Sequence, residues 1–139
     1  MRDIIFRGKR VDNGEWVYGY YCFYPHRTGY CTQTVSEWDR DRHIITTRSG
    51  AFEVSPETVG QYIGIEDKNN KIIYTGDIVK TKVVTYDETI REVVFQVVWN
   101  QSYVEYQFAN KEFMYECVNF EQRDLEVVGN VFDNPELLR

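Results

Sequence analysis

Ile73-Tyr74-Thr75-Gly76-Asp77-Ile78-Val79-Lys80, IYTGDIVK, places a Gly-Asp pair between two short apolar runs. If the pair is a corner between strands, the chain is a run of hairpins. If Asp77 is a reactive carboxylate, the same stretch marks an active site. Catalysis by Asp77 would need a second titratable group and a pocket. The neighbouring candidates, Glu66, Asp67, Lys68 and Lys71, fall in or beside a stretch that reads as an exposed turn. A corner asks less. Gly76 takes a positive φ that a Cβ would obstruct, and Asp77 accepts backbone N–H bonds across the turn. The corner is the better reading, and Gly76 and Asp77 are expected to be structural.

Working outward, short apolar runs alternate with turn residues along most of the chain. Ile4 to Val11 is followed by Asp12-Asn13-Gly14. Asn13-Gly14 predicts a type I′ hairpin turn with both residues at positive φ. Glu15 to Phe23 is the return strand, apolar or aromatic on both faces, so at least part of this hairpin is expected to be covered on both sides. Residues 24–42 are irregular, broken by Pro25 and Gly29. A second hairpin follows, from His43 to Thr47 and back from Ala51 to Val54. Ser55-Pro56 opens a short helical turn capped by Ser55.

Further strands are predicted at 61–66, 71–74, 78–85, 90–99, 103–108, 112–118 and 125–132. Val93, Phe95, Val97 and Trp99 share one face of the fourth of these. A last helical turn starts near Pro135. Many short strands with little helix define an all-β barrel or sandwich.

The composition agrees with a folded domain. The 139 residues are 42% hydrophobic and 16% aromatic, with three prolines and no low-complexity run. The net charge is −6, unevenly spread: residues 1–70 are near neutrality and residues 71–139 carry net −5. That sign disfavours a phosphate backbone as ligand. The nearest approach to a basic patch is Arg2, Arg7, Lys9 and Arg10, which serves the alternative of nucleic-acid contact. The N-terminus has no apolar core of a signal peptide, and no run reaches the length of a membrane span. Three cysteines without CxxC spacing fit a reducing cytoplasm.

Cys22, His26, Cys31 and His43 are the only mixed Cys/His set. Their separations of three, four and eleven intervening residues do not match zinc-site pairs. No phosphate loop, dinucleotide glycine pattern or HExxH occurs. No catalytic residues, metal or cofactor are expected. Most of Tyr18, Tyr20, Phe95, Trp99, Tyr106, Phe108 and Phe113 are expected to be core or inter-subdomain packing, because they sit on alternating strands. As a further reading, the dense stretch 103–116, with Tyr103, Tyr106, Phe108, Phe113, Met114 and Tyr115, is the candidate protein interface. Self-association as a homo-oligomer is expected from it.

Three blocks carry a resemblance: FRGKRVDNGEWVYGY (6–20), PETVGQYIGIEDKNNKIIYTGDIVK (56–80) and VVGNVFDNPELL (127–138). In that order they resemble the YopX family of phage- and prophage-encoded proteins of low-GC Gram-positive bacteria. The resemblance implies an SH3-like β-barrel, here residues 56–139, preceded by a β-hairpin-rich region, residues 1–55. Asn70 and Thr75 depart from the family pattern, which favours Gly and Glu there. The resemblance brings no catalytic residues. It implies a non-catalytic phage accessory protein in the bacterial cytoplasm, contacting an unidentified phage or host protein.

Overall fold

The computed structural model describes residues 5–25 and 40–138. It is an all-β chain whose contacts gather into two compact units, one within Ile4–Gln61 and one within Tyr62–Arg139. The helical content of the described residues consists of short 3-10 turns.

In the N-terminal unit, β1 (Phe6–Lys9), β2 (Trp16–Tyr24), β3 (Arg42–Thr47) and β4 (Gly50–Glu53) form an antiparallel meander. The free side of β1 pairs with Gly60 and Gln61, which begin β5 (Gly60–Glu66). The turn between β1 and β2 is not type I′. Only Gly14 has positive φ, at 74°, and the loop closes through Arg10 N–H to Glu15 O and Gly14 N–H to Arg10 O. Asn13 instead accepts Glu15 N–H on its side-chain oxygen at 2.9 Å. The asparagine acts through its own side chain, which relieves its backbone of the left-handed conformation.

Register then sorts the side chains. Tyr21 lies opposite Ile45, which is fully buried, and beside Phe6 at 5.5 Å between ring centroids. Tyr18, Tyr20 and Tyr24 are on the other face and are exposed. Coverage of both faces is therefore partial: Arg7 and Ile44, both buried, share the face of Tyr18 and Tyr20, while these tyrosines stay in solvent. Ser55 does not cap the turn at Pro56–Thr58. Buried Thr58 ties it down: its hydroxyl donates to Ser55 O at 2.7 Å and accepts Lys9 N–H at 2.9 Å.

In the C-terminal unit, the rest of β5 pairs with β6 (Ile72–Tyr74). A five-stranded antiparallel sheet runs in the order β10-β9-β8-β7-β11, built from β7 (Asp77–Val84), β8 (Ile90–Asn100), β9 (Glu105–Ala109), β10 (Met114–Glu116) and β11 (Glu126–Asn130). It is open: β10 and β11 are its edges and do not pair with each other, so the ladder does not close into a barrel. The alternation of β8 is realised through Val93, Phe95 and Val97, all buried, and ends there. Trp99 is 45% exposed because the chain turns just beyond it.

Phe95 centres the core. Tyr115 meets it edge-on at 5.7 Å, and Phe120 packs on Phe108 at 5.2 Å. After Glu116 the strand predicted to reach residue 118 gives way to 3-10 turns at Cys117–Asn119 and Gln122–Asp124. Among the described residues, no helix is long and apolar enough to cross a membrane.

Candidate interaction surfaces

The corner in IYTGDIVK is built as follows. Gly76 has φ 91°, and its N–H donates to Val97 O at 2.9 Å. Asp77 is 2% exposed, and its Oδ2 accepts Tyr74 N–H at 2.9 Å. The carboxylate thus fastens the end of β6 to the start of β7. Loss of this bond in Asp77→Ala is expected to cost about 1–2 kcal/mol, with Asp77→Asn milder because its amide oxygen still accepts. Gly76→Val should cost more than either, since a β-branched residue is strained at this φ. Thermal melts of the three variants check the ordering.

Asp67 is a greater departure from the sequence reading. Its turn is not exposed: the side chain is 1% accessible. Oδ1 accepts Asn69 N–H at 2.8 Å and Lys71 N–H at 2.9 Å, while Oδ2 accepts Val127 N–H at 2.9 Å. The bond to Val127 reaches β11, 60 residues away. Burial opposes ionisation, but the N–H groups of Val127, Lys71 and Asn69, with the Lys71 charge, outweigh it and hold the carboxyl below its usual range. Asn70 completes the turn at φ 63°. An Asp two to four residues ahead of such a turn is the local part of this signal; the Val127 contact leaves none in the sequence.

The aromatic segment divides. Phe108 is fully buried, so it belongs to the core and not to a surface. Phe113 and Tyr115 are half-buried against that core. Tyr106 packs edge-on against Trp99 at 4.9 Å. Tyr103 at 69% and Met114 at 57% remain as exposed members. The reason is strand phase: Tyr106 and Phe108 share the inward side of β9, opposite Trp99 and Val97. Trp99 and Val104, the latter 68% exposed, were not singled out as surface from the sequence.

The basic set disperses as well. Arg2 lies outside the described residues. Arg7 is buried with its guanidinium 4.6 Å from the Trp16 ring centroid, and the Lys9 ammonium lies 5.4 Å from the same ring. Arg10 makes two bonds to Asp12, of 2.9 and 2.6 Å, which draw that carboxyl below its usual range.

Cys22 is exposed, and His43 stacks between Tyr21 and Phe23 with its Nδ1 2.6 Å from the Tyr21 hydroxyl. His26 and Cys31 lie outside the described residues. No three potential metal ligands converge among the described residues. Burial, followed by the nearby Glu105 charge, pushes the Cys117 thiol up to about 12, so it stays protonated.

A shallow cleft of about 230 Å³ is lined by Lys68, Lys80, Lys82 and Arg123 facing Glu92, Asp124 and Glu126. Three of these charges are already cross-paired around Glu126, with Lys68 at 3.1 Å and Lys80 at 3.8 Å.

These features define an all-β module made of two open antiparallel sheets with aromatic side chains on its surface. The sequence model described as "YopX protein" matches residues 5–139, and the chain belongs to the YopX family. Its fold is similar to the crystal structure of protein EF1440 from Enterococcus faecalis, with a TM-score of 0.52 at 17% identity and 100% coverage of both chains. No curated protein matches it.

Proposed function

We propose that this protein works without catalysis, as a phage or prophage accessory protein of the bacterial cytoplasm that acts by contact with other proteins and self-assembles. The observation carrying this reading is the set of exposed aromatic and apolar side chains: Tyr18, Tyr20 and Tyr24 along β2, and Trp99, Tyr103, Val104 and Met114 on the C-terminal unit. Tyr and Trp bury large area at low entropic cost and are enriched where proteins meet. The buried carboxylates, Asp67 and Asp77, are engaged by backbone N–H groups, which makes them fasteners. The phage setting rests on family membership. Nucleic acid is the weaker partner, because Arg7 and Arg10 are occupied within the fold and the net charge is −6.

Affinity capture from a lysogenic host tests the reading, comparing the parent with Tyr18→Ser/Tyr20→Ser. The parent should retain a defined protein that the variant releases. Retention of no protein, together with binding to single-stranded DNA that weakens steeply with salt, would overturn it.

A further inference from the structure

β7 has a strand on both sides for only part of its length. β8 pairs with it from Ile78 to Val84, whereas β11 pairs with it from Asp77 to Lys80 and its register stops at Glu126. In an antiparallel ladder, successive residues turn their N–H and C=O groups to opposite sides. Thr85 N–H donates to Thr89 O at 2.9 Å, so the backbone groups of Thr85 and Val83 face β8. Those of Lys82 and Val84 face the side along which β11 does not continue. The chain leading into β11 does not take up that side, because it spends its backbone groups elsewhere. Asp124 N–H donates to Glu121 O, Leu125 N–H donates to Gln122 O, and Leu125 O accepts Lys68 N–H. Half of an interior strand is thus an open edge, with two residues each offering a donor and an acceptor. Such an edge is a template for another strand.

A groove of about 490 Å³ borders this edge. Beyond the edge itself, it is lined by the rings of Tyr115 and Phe120 and by the carboxylates of Glu121 and Asp124. Val84 stands at its margin, 67% exposed. Unpaired backbone groups are satisfied by extended chain, and the rings by an apolar side chain. Two carboxylates against the one ammonium of Lys82 favour a cationic neighbour, as does the net −5 of residues 71–139. Arg123 holds Glu121 at 2.8 Å, but both side chains are exposed and water screens the pair. We propose that the open edge of β7 at Lys82–Val84 binds an extended peptide segment of a partner protein, added as a further strand and carrying alternating apolar and basic side chains. This inference rests on the contact-based reading of function and gives it a site and a partner chemistry.

The probe is a six-residue peptide of alternating lysine and valine, blocked at both ends, with a glutamate–valine counterpart as control. Titration into the full chain should give saturable binding of the basic probe below about 1 mM and at least about tenfold weaker binding of the acidic one. Amide exchange reads the site directly. In the free protein Lys82 and Val84 should exchange quickly and Val83 slowly, and the bound probe should slow the first two by at least about tenfold. Val84→Pro removes an outward N–H and no bond of the β7–β8 ladder, so it should stay folded and weaken the probe at least about tenfold. Val84→Thr keeps the N–H and should bind within about threefold of the parent. No saturable binding of the basic probe would overturn the proposal, and so would equal binding of the acidic one. Binding that leaves the exchange of Lys82 and Val84 unchanged would overturn it too. If the probe fails while a partner is still captured through Tyr18 and Tyr20, the β7 edge falls and the contact-based function stands.

Discussion

Asp67→Ala is expected to destabilise the protein by about 3 kcal/mol, since a charged acceptor is removed and three backbone N–H groups lose their partner. Two of those groups, on Asn69 and Lys71, lie in the turn after β5, where water can replace the carboxylate in part. The third, on Val127, ties the turn to β11 and is the costly loss. Asp67→Asn keeps one acceptor oxygen, but its amide NH₂ then faces an N–H donor, so it should recover only part of the loss. Urea denaturation at neutral pH gives the ordering. An Asp67→Ala midpoint equal to the parent's would refute the fastening role.

The same carboxylate gives stability a pH dependence. Its folded pKa is lowered, so its contribution is fully present above the unfolded value of about 4 and is lost as pH falls through the folded value. The parent should therefore lose stability on acidification below about pH 4. Asp67→Asn, which cannot titrate, should show a flatter acid limb.

Gly19→Ala should rival Asp67→Ala, at about 2–3 kcal/mol, the range of overpacked sites. A Cβ on Gly19 would lie 2.1 Å from the carbonyl oxygen of Thr46. That oxygen belongs to the backbone of β3, so the clash cannot be relieved by a side-chain rotation. The β2–β3 ladder, which joins Tyr20 to Thr46 and Tyr21 to Ile45, would have to shift. Thermal melts measure the cost, and amide exchange should show weakened protection across Tyr20–Cys22 and Ile44–Thr46. An alanine variant with parental stability and protection would mean that β2 and β3 do not approach so closely.

The sequence by itself determined the class of fold and most of the strand positions along the chain of this YopX-family protein. Alternation at Val93, Phe95 and Val97, the turn chemistry at Arg48-Ser49-Gly50 and Asn69-Asn70, and the Gly76-Asp77 corner are local signals. A strand's period and a turn's φ values are set by residues a few positions apart. Tertiary structure decided whatever depended on a distant partner. Asp67 reads as a solvated turn residue until Val127 comes within 2.9 Å of it. Phe108 reads both as core and as a member of the 103–116 interface until β9 is laid between β8 and β10, with its inward side on the core. Gly19 reads as a gap between tyrosines until the Thr46 carbonyl fills the space its Cβ would need. Burial is a property of which strands become neighbours, and a single strand's pattern names its two faces without saying which will be covered.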